Sequence, residues 1–333
     1  MTLRRGVRAS VLAVVLLAGL QVAPTAARAD DPRMPTAPPA HGADDYRPTG
    51  EHGVKGLPIA PVTVTARKAT ASAMVAKAAA ADAADDSSDV HMYYNTGLQN
   101  VTAGGIYSDV YISQPWLDKI DYHTLAELAV IKKMDNGDRQ IVEVGWTVDR
   151  AINGDDLPHL FVFSWINGVG QCYNGCGFVN YTGGDLASPV RPGGKLTPGE
   201  VKQFGIQYNP TSDTTGDWWV AYDKKWVGYF PGTQWTKASP SVSFTESTQV
   251  QAFGEVAADN EWPCTDMGTE SQGSAGKGAA YFSGVSLYNS KSTAQLTQII
   301  QPTGGYYDTF YTMSWPGKTP SMRSFYYGGG GSC

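Results

Sequence analysis

After residue 91, hydrophobic and polar positions alternate with a period of two along most of the chain. This is the pattern of strands that bury one face. Segments 105–112, 140–148, 160–166, 202–208, 218–222, 226–229, 249–256 and 279–287 all read this way. Residues 124–132 (TLAELAVIK) fit a helix or a strand equally well. Asn136-Gly137-Asp138 is a turn signal, and Asp223-Lys224-Lys225 is a tight connection between two strands. Gly, Asn, Asp and Pro punctuate these segments at the spacing of an antiparallel sandwich. No amphipathic helix of about 12 residues or more stands out, and no fixed-period repeat argues for a propeller or solenoid. The expected fold is all-β, an antiparallel β-sandwich.

The aromatic residues place a boundary. Of all Phe, Trp and Tyr residues, only Tyr46 precedes residue 91. Residues 30–92 are rich in Ala, Asp, Pro and Thr and include the run from Ala76 to Ala84. Such a stretch buries too little apolar area to offset its ordering entropy, so it reads as a linker, a disordered arm or a propeptide. Residues 1–29 read as a secretory signal: Arg4, Arg5 and Arg8 lead an apolar run from Val11 to Leu20, and Ala27-Arg28-Ala29 fits the cleavage site. The folded domain is then expected over 93–333. A formal net charge of −6 argues against a nucleic-acid partner. No second apolar run is long enough for a bilayer, so no membrane partner is expected after signal removal. Four cysteines in an exported chain are expected to be paired.

Catalytic chemistry narrows by elimination. The sequence has no HExxH, no GxSxG and no P-loop. The cysteine spacing does not suit a metal site, and no metal or other cofactor is expected. His123 and His159 read as surface or structural residues. Two carboxylates stand out: Glu143 within Ile141-Val142-Glu143-Val144-Gly145-Trp146, and Glu255 within Phe253-Gly254-Glu255-Val256. The ordinary place for a charge in an apolar strand is the solvent face. Here, however, alternation puts Glu143, Gly145 and Thr147 on one face and Gln251, Phe253 and Glu255 on another. Polar groups beside aromatics suit a substrate cleft, with Gln251 and Phe253 as candidate substrate contacts. Trp146, opposite Glu143, is expected in the core. Trp218 and Trp219 point to opposite faces; one is core, and Trp219 is the candidate for the cleft. Two carboxylates close together push their proton affinities apart and can serve as acid and base. Residue chemistry alone leaves peptide hydrolysis, glycoside hydrolysis and a non-catalytic carbohydrate-binding sandwich all open.

From about residue 96 onward the sequence resembles the neprosin family of secreted glutamic peptidases. The resemblance rests on ordered motifs: Gly104-Gly105-Ile106, the stretch from Ile141 to Val148, Gly170 to Val179, Asp217-Trp218-Trp219-Val220, Val227 to Pro231, Phe253 to Val256, Asp266-Met267-Gly268 and Gly278 to Phe282. It implies a β-sandwich with a glutamate pair matching Glu143 and Glu255, cleavage of peptides after proline, and an N-terminal activation segment. Disulfides are then expected between Cys172 and Cys176 and between Cys264 and Cys333, with Gly328 to Gly331 as a flexible lead to the last cysteine. The expected partner is a proline-containing peptide or protein, met outside the cell by a monomeric enzyme.

Overall fold

The computed structural model describes residues 37–58, 90–211, 215–238, 243–299, 309–316 and 323–333. The expected signal segment and the alanine-rich run lie outside these. The strands are β1 (His91–Ala103), β2 (Gly105–Tyr111), β3 (His123–Lys133), β4 (Arg139–Val148), β5 (His159–Ile166), β6 (Val169–Gly170), β7 (Val179–Asn180), β8 (Val201–Asn209), β9 (Asp217–Tyr222), β10 (Lys225–Pro231), β11 (Ser247–Ala258), β12 (Ala280–Tyr288), β13 (Thr297–Ile299), β14 (Thr312–Ser314) and β15 (Phe325–Gly328). Among the described residues they form two sheets, in the orders β13-β1-β11-β3-β4-β5-β6 and β14-β15-β12-β2-β8-β9-β10-β7. Neighbouring strands pair antiparallel. Residues 124–132 are strand, fixed by β4 on one side and β11 on the other. The β9–β10 connection places Asp223 and Lys224 in the left-handed region, as a two-residue hairpin turn requires.

Period-two alternation builds the sandwich core. Leu128, Val130, Val142, Val144 and Trp146 from the first sheet meet Ile106, Phe204, Ile206, Trp218 and Phe282 from the second. The alternate residues of the first sheet, including Leu125, Ile141, Phe161, Phe163 and Phe253, form a separate cluster on its outer face. That face is roofed, with Tyr173 fully buried in its cluster and Leu57 packed against it. Both disulfides are formed, Cys172–Cys176 and Cys264–Cys333.

Two expectations need correction. Residues 37–58 do not stand apart as a disordered arm: the domain supplies the partners that their composition lacks. Tyr46 pairs with Asn180 and Glu51 with Tyr173 through backbone bonds. The glycine tail is not a loose lead either. Gly328 ends β15, and the Gly329 amide donates to the carbonyls of Met267 and Thr269.

Candidate active site

Glu143 sits in the middle of β4 and Glu255 late in β11, with β3 between them. Register places Glu143 across from Ala129, and Glu255 across from Leu125. Glu127, midway between those β3 positions, joins them on the same outer face. It lies opposite Phe253 on one side and Gly145 on the other. Gly145 makes room for it: a Cβ there would stand 2.0 Å from the Ala126 carbonyl oxygen and 2.7 Å from the Glu127 Cβ. All three glutamates are fully buried.

A cation from the N-terminal arm holds them together. Lys55 Nζ lies 3.0 Å from Glu127 Oε1, 3.2 Å from Glu255 Oε2 and 3.6 Å from Glu143 Oε2. It also sits over the Phe253 ring, 5.6 Å from the centroid. The Gly56 amide donates to Glu255 Oε1 at 3.3 Å, and the Tyr173 hydroxyl donates to the Val54 carbonyl at 2.9 Å. The arm thus enters the cleft beside Tyr173, and Arg139 holds its exit by donating to the Pro58 carbonyl.

The two predicted glutamates have different neighbours. Glu143 accepts one hydrogen bond, from Trp165 Nε1 at 3.0 Å. Glu255 accepts from His123 Nε2 at 2.8 Å as well as from Lys55 and Gly56. Burial pushes the Glu143 carboxyl up to about 7; Lys55 opposes the rise, and the charge of Glu255 adds to it. Burial also works to raise Glu255, but the Lys55 charge and the His123 hydrogen bond outweigh it and hold Glu255 below the usual carboxylate range. Glu127 is raised well above that range by burial and by the charge of Glu143. Burial disfavours the Lys55 ammonium, yet the three carboxylates overcome this and raise it. Such a set holds a proton on one carboxyl and a charge on another, which is what paired acid–base work needs.

Of the candidate substrate contacts, Gln251 and Phe253 lie on β11 with Glu255, on the glutamates' face. Trp219 does not join them. Alternation correctly separates it from the core residue Trp218, but β9 belongs to the second sheet. There Trp219 is buried beside Tyr181, Trp226 and Tyr229, under the arm residue His41. Of the two readings for His123, surface or structural, the surface one needs correction: the residue is a buried partner of Glu255. Glu127 and Lys55 are the residues that sequence reasoning missed. Glu127 carries the same signal as its partners, a charge within an apolar strand. Among the described residues, no group of three or more His, Cys, Asp or Glu side chains is arranged to hold a metal ion. No helix among them is long and apolar enough to cross a membrane.

The Neprosin family model matches residues 121–330. The comparison with curated proteins returns no match. Among solved structures, scytalido-glutamic peptidase bound to a peptide-based transition-state analogue is similar over 72% of this chain and 98% of that one, at 11% identity and a TM-score of 0.36. β-Agarase A from Zobellia galactanivorans is similar over 50% of this chain and 54% of its own, at 11% identity and a TM-score of 0.25. Alginate lyase Aly36B is similar over 50% of this chain and 70% of its own, at 12% identity and a TM-score of 0.25.

Proposed function

The chain belongs to the neprosin family, and from that membership we propose that it is an exported glutamic endopeptidase whose catalytic pair is Glu143 and Glu255. One observation carries this reading: the two glutamates share a buried face, and there Glu255 accepts from the His123 imidazole while Glu143 accepts from the Trp165 indole. Glu255, held ionised, takes a proton from the attacking water. Glu143, holding a proton near neutrality, polarises the scissile carbonyl and then protonates the leaving amine. Preference for cleavage after proline follows from the resemblance to the family, and action outside the cell from the signal segment; the enzyme is proposed to act as a monomer.

The same reading makes residues 30–90 an inhibitory pro-segment, of which 51–58 is the part lying in the cleft; the boundary falls before 93, because His91 and Met92 already pair with β11 as the start of β1. Lys55 occupies the position between the carboxylates that a water and a carbonyl would need. Glu127 serves to bind that lysine. The test is a peptide library digested with the activated full chain from acid to neutral pH and read by mass spectrometry. Glu143→Gln and Glu255→Gln keep the side-chain shape and are expected to fold, and each is expected to lower turnover by ~10²-fold or more. Chelators are expected to leave activity unchanged. A folded Glu255→Gln chain that cleaves peptides like the wild type overturns the assignment of the pair.

A further inference from the structure

Three donors favour the charged form of Glu255: Lys55, the Gly56 amide and His123. The first two belong to the arm. When the arm leaves the cleft, they leave with it. His123 opens β3 and stays. We infer that His123 is the positioning residue of the active enzyme, holding Glu255 in place and ionised as the base. This rests on the peptidase reading above and adds to it the residue that makes the two glutamates unequal once the arm is gone.

The geometry supports the assignment. His123 is fully buried, and its Nε2 lies 2.8 Å from Glu255 Oε1. A charged carboxylate can only accept, so the imidazole donates through Nε2. Its Nδ1 makes no hydrogen bond and faces the Asp149 carboxylate at 4.0 Å. Asp149 is itself fixed, because its Oδ1 caps α1 (Arg150–Asn153) by accepting from the Ala151 and Ile152 amides. The ring is thus held between a strand residue in front and a helix cap behind. Other charged or titratable groups press on Glu255 from the neighbouring elements: Glu127 from β3, Glu143 from β4, Tyr94 from β1 and Tyr173 from the disulfide loop. All except His123 either are acids or belong to the arm. With the arm gone, His123 is the group left to oppose burial and the negative neighbours. Glu143 has no such partner, only the neutral indole of Trp165.

The experiment compares His123→Gln with His123→Asn in the activated full chain, following kcat/KM against pH. The glutamine amide reaches the position of Nε2 and keeps a donor on Glu255; the shorter asparagine does not. The acid limb reports ionisation of the base in the free enzyme. It is expected to move up by about one pH unit or more in His123→Asn, a tenfold loss per unit on that limb. It is expected to stay near the wild-type position in His123→Gln. A residue needed only for folding would lower yield or melting temperature in both variants and leave the limb in place. An unmoved limb in folded His123→Asn, or an equal shift in both variants, overturns the inference. If neither variant folds, histidine nitrogen shifts in the wild-type chain decide. An Nε2-protonated ring whose shifts follow the Glu255 titration supports the assignment, and a ring indifferent to it overturns it. The peptidase reading is judged separately: it fails if Glu255→Gln retains full cleavage, whereas an active wild type with an unmoved His123→Asn limb removes this inference alone.

Discussion

Three carboxylates share one buried cleft because an ammonium is set among them. Removing one partner of a buried ion pair typically costs about 3–5 kcal/mol, since the others are left uncompensated. Lys55→Met is therefore expected to unseat the arm, and the variant is expected to cleave peptide substrate while the arm is still covalently attached. Activity measured before any processing, with chain length checked by mass, tests this; latency equal to that of the wild type would count against it. The pH dependence has a defined sign. Lys55 makes each glutamate more acidic than it would be alone, so losing it is coupled to proton uptake and is favoured as pH falls. The grip weakens as Glu143 gains its proton near 7 and is lost when Glu255, held below the ordinary range, follows. At this scale the sequence shows Glu143 and Glu255 because each interrupts an apolar alternation. Glu127 interrupts one too, but its segment reads equally as helix, which leaves its face unassigned. Lys55 lies in a stretch whose order comes from the domain it touches, so no local pattern reveals it.

Among the elements, the disulfide loop between β6 and β7 does most to seat the arm. Its Tyr173 pairs with Glu51 through two backbone bonds, of 2.9 and 2.8 Å. Within it Gly175 meets the arm backbone directly: a Cβ there would stand 2.3 Å from the Gly50 nitrogen and 2.4 Å from its Cα. The nearest atoms all belong to the arm, so Gly175→Ala is expected to loosen the arm and leave the domain intact. Limited proteolysis should show earlier loss of residues 37–58 and activity at higher pH, with an unchanged melting temperature for the arm-free domain. Most strands are legible from alternation. β1 is not, because Asn95, Gly97 and Asn100 break its pattern; its place is set by pairing along β11.

For the whole molecule, the sandwich class follows from the alternation, but the sheet a strand joins does not. That depends on long-range pairing, and it is why Trp219 lies in the second sheet instead of near the glutamates. The Cys264–Cys333 bond spans a separation of 69 residues that includes β12, β13, β14 and β15. Closing a loop of that length is worth about 4 kcal/mol in the chain-entropy model. Replacing both cysteines by serine is expected to lower the thermal midpoint by about 10 °C. Opening the four-residue separation of Cys172 and Cys176 should affect the seating of the arm more than global stability. Calorimetry of the two double variants distinguishes these outcomes.

The arm grips the domain at both sheets. At one end His41 bonds Asp217 at 2.7 Å and stacks on Tyr229, beside Asp45, which accepts from the Thr182 amide. At the other, Lys55 lies among the glutamates. Contacts strung on one chain act as a polyvalent ligand, in which each bound end raises the effective concentration of the other. Severing the chain and freeing the site are then separate events. A cut between residues 58 and 90 leaves a bound peptide that still blocks the cleft, now as a competitor in trans. A cut between Arg47 and Glu51 divides the two grips and frees the His41 end, while Lys55 stays in cis in the cleft, on a chain still continuous with β1. Neither cut alone empties the cleft: the first leaves both grips on one released peptide and the second leaves the cleft segment tethered, so full switching takes both, and the two together forfeit an avidity of roughly 10²–10⁴-fold.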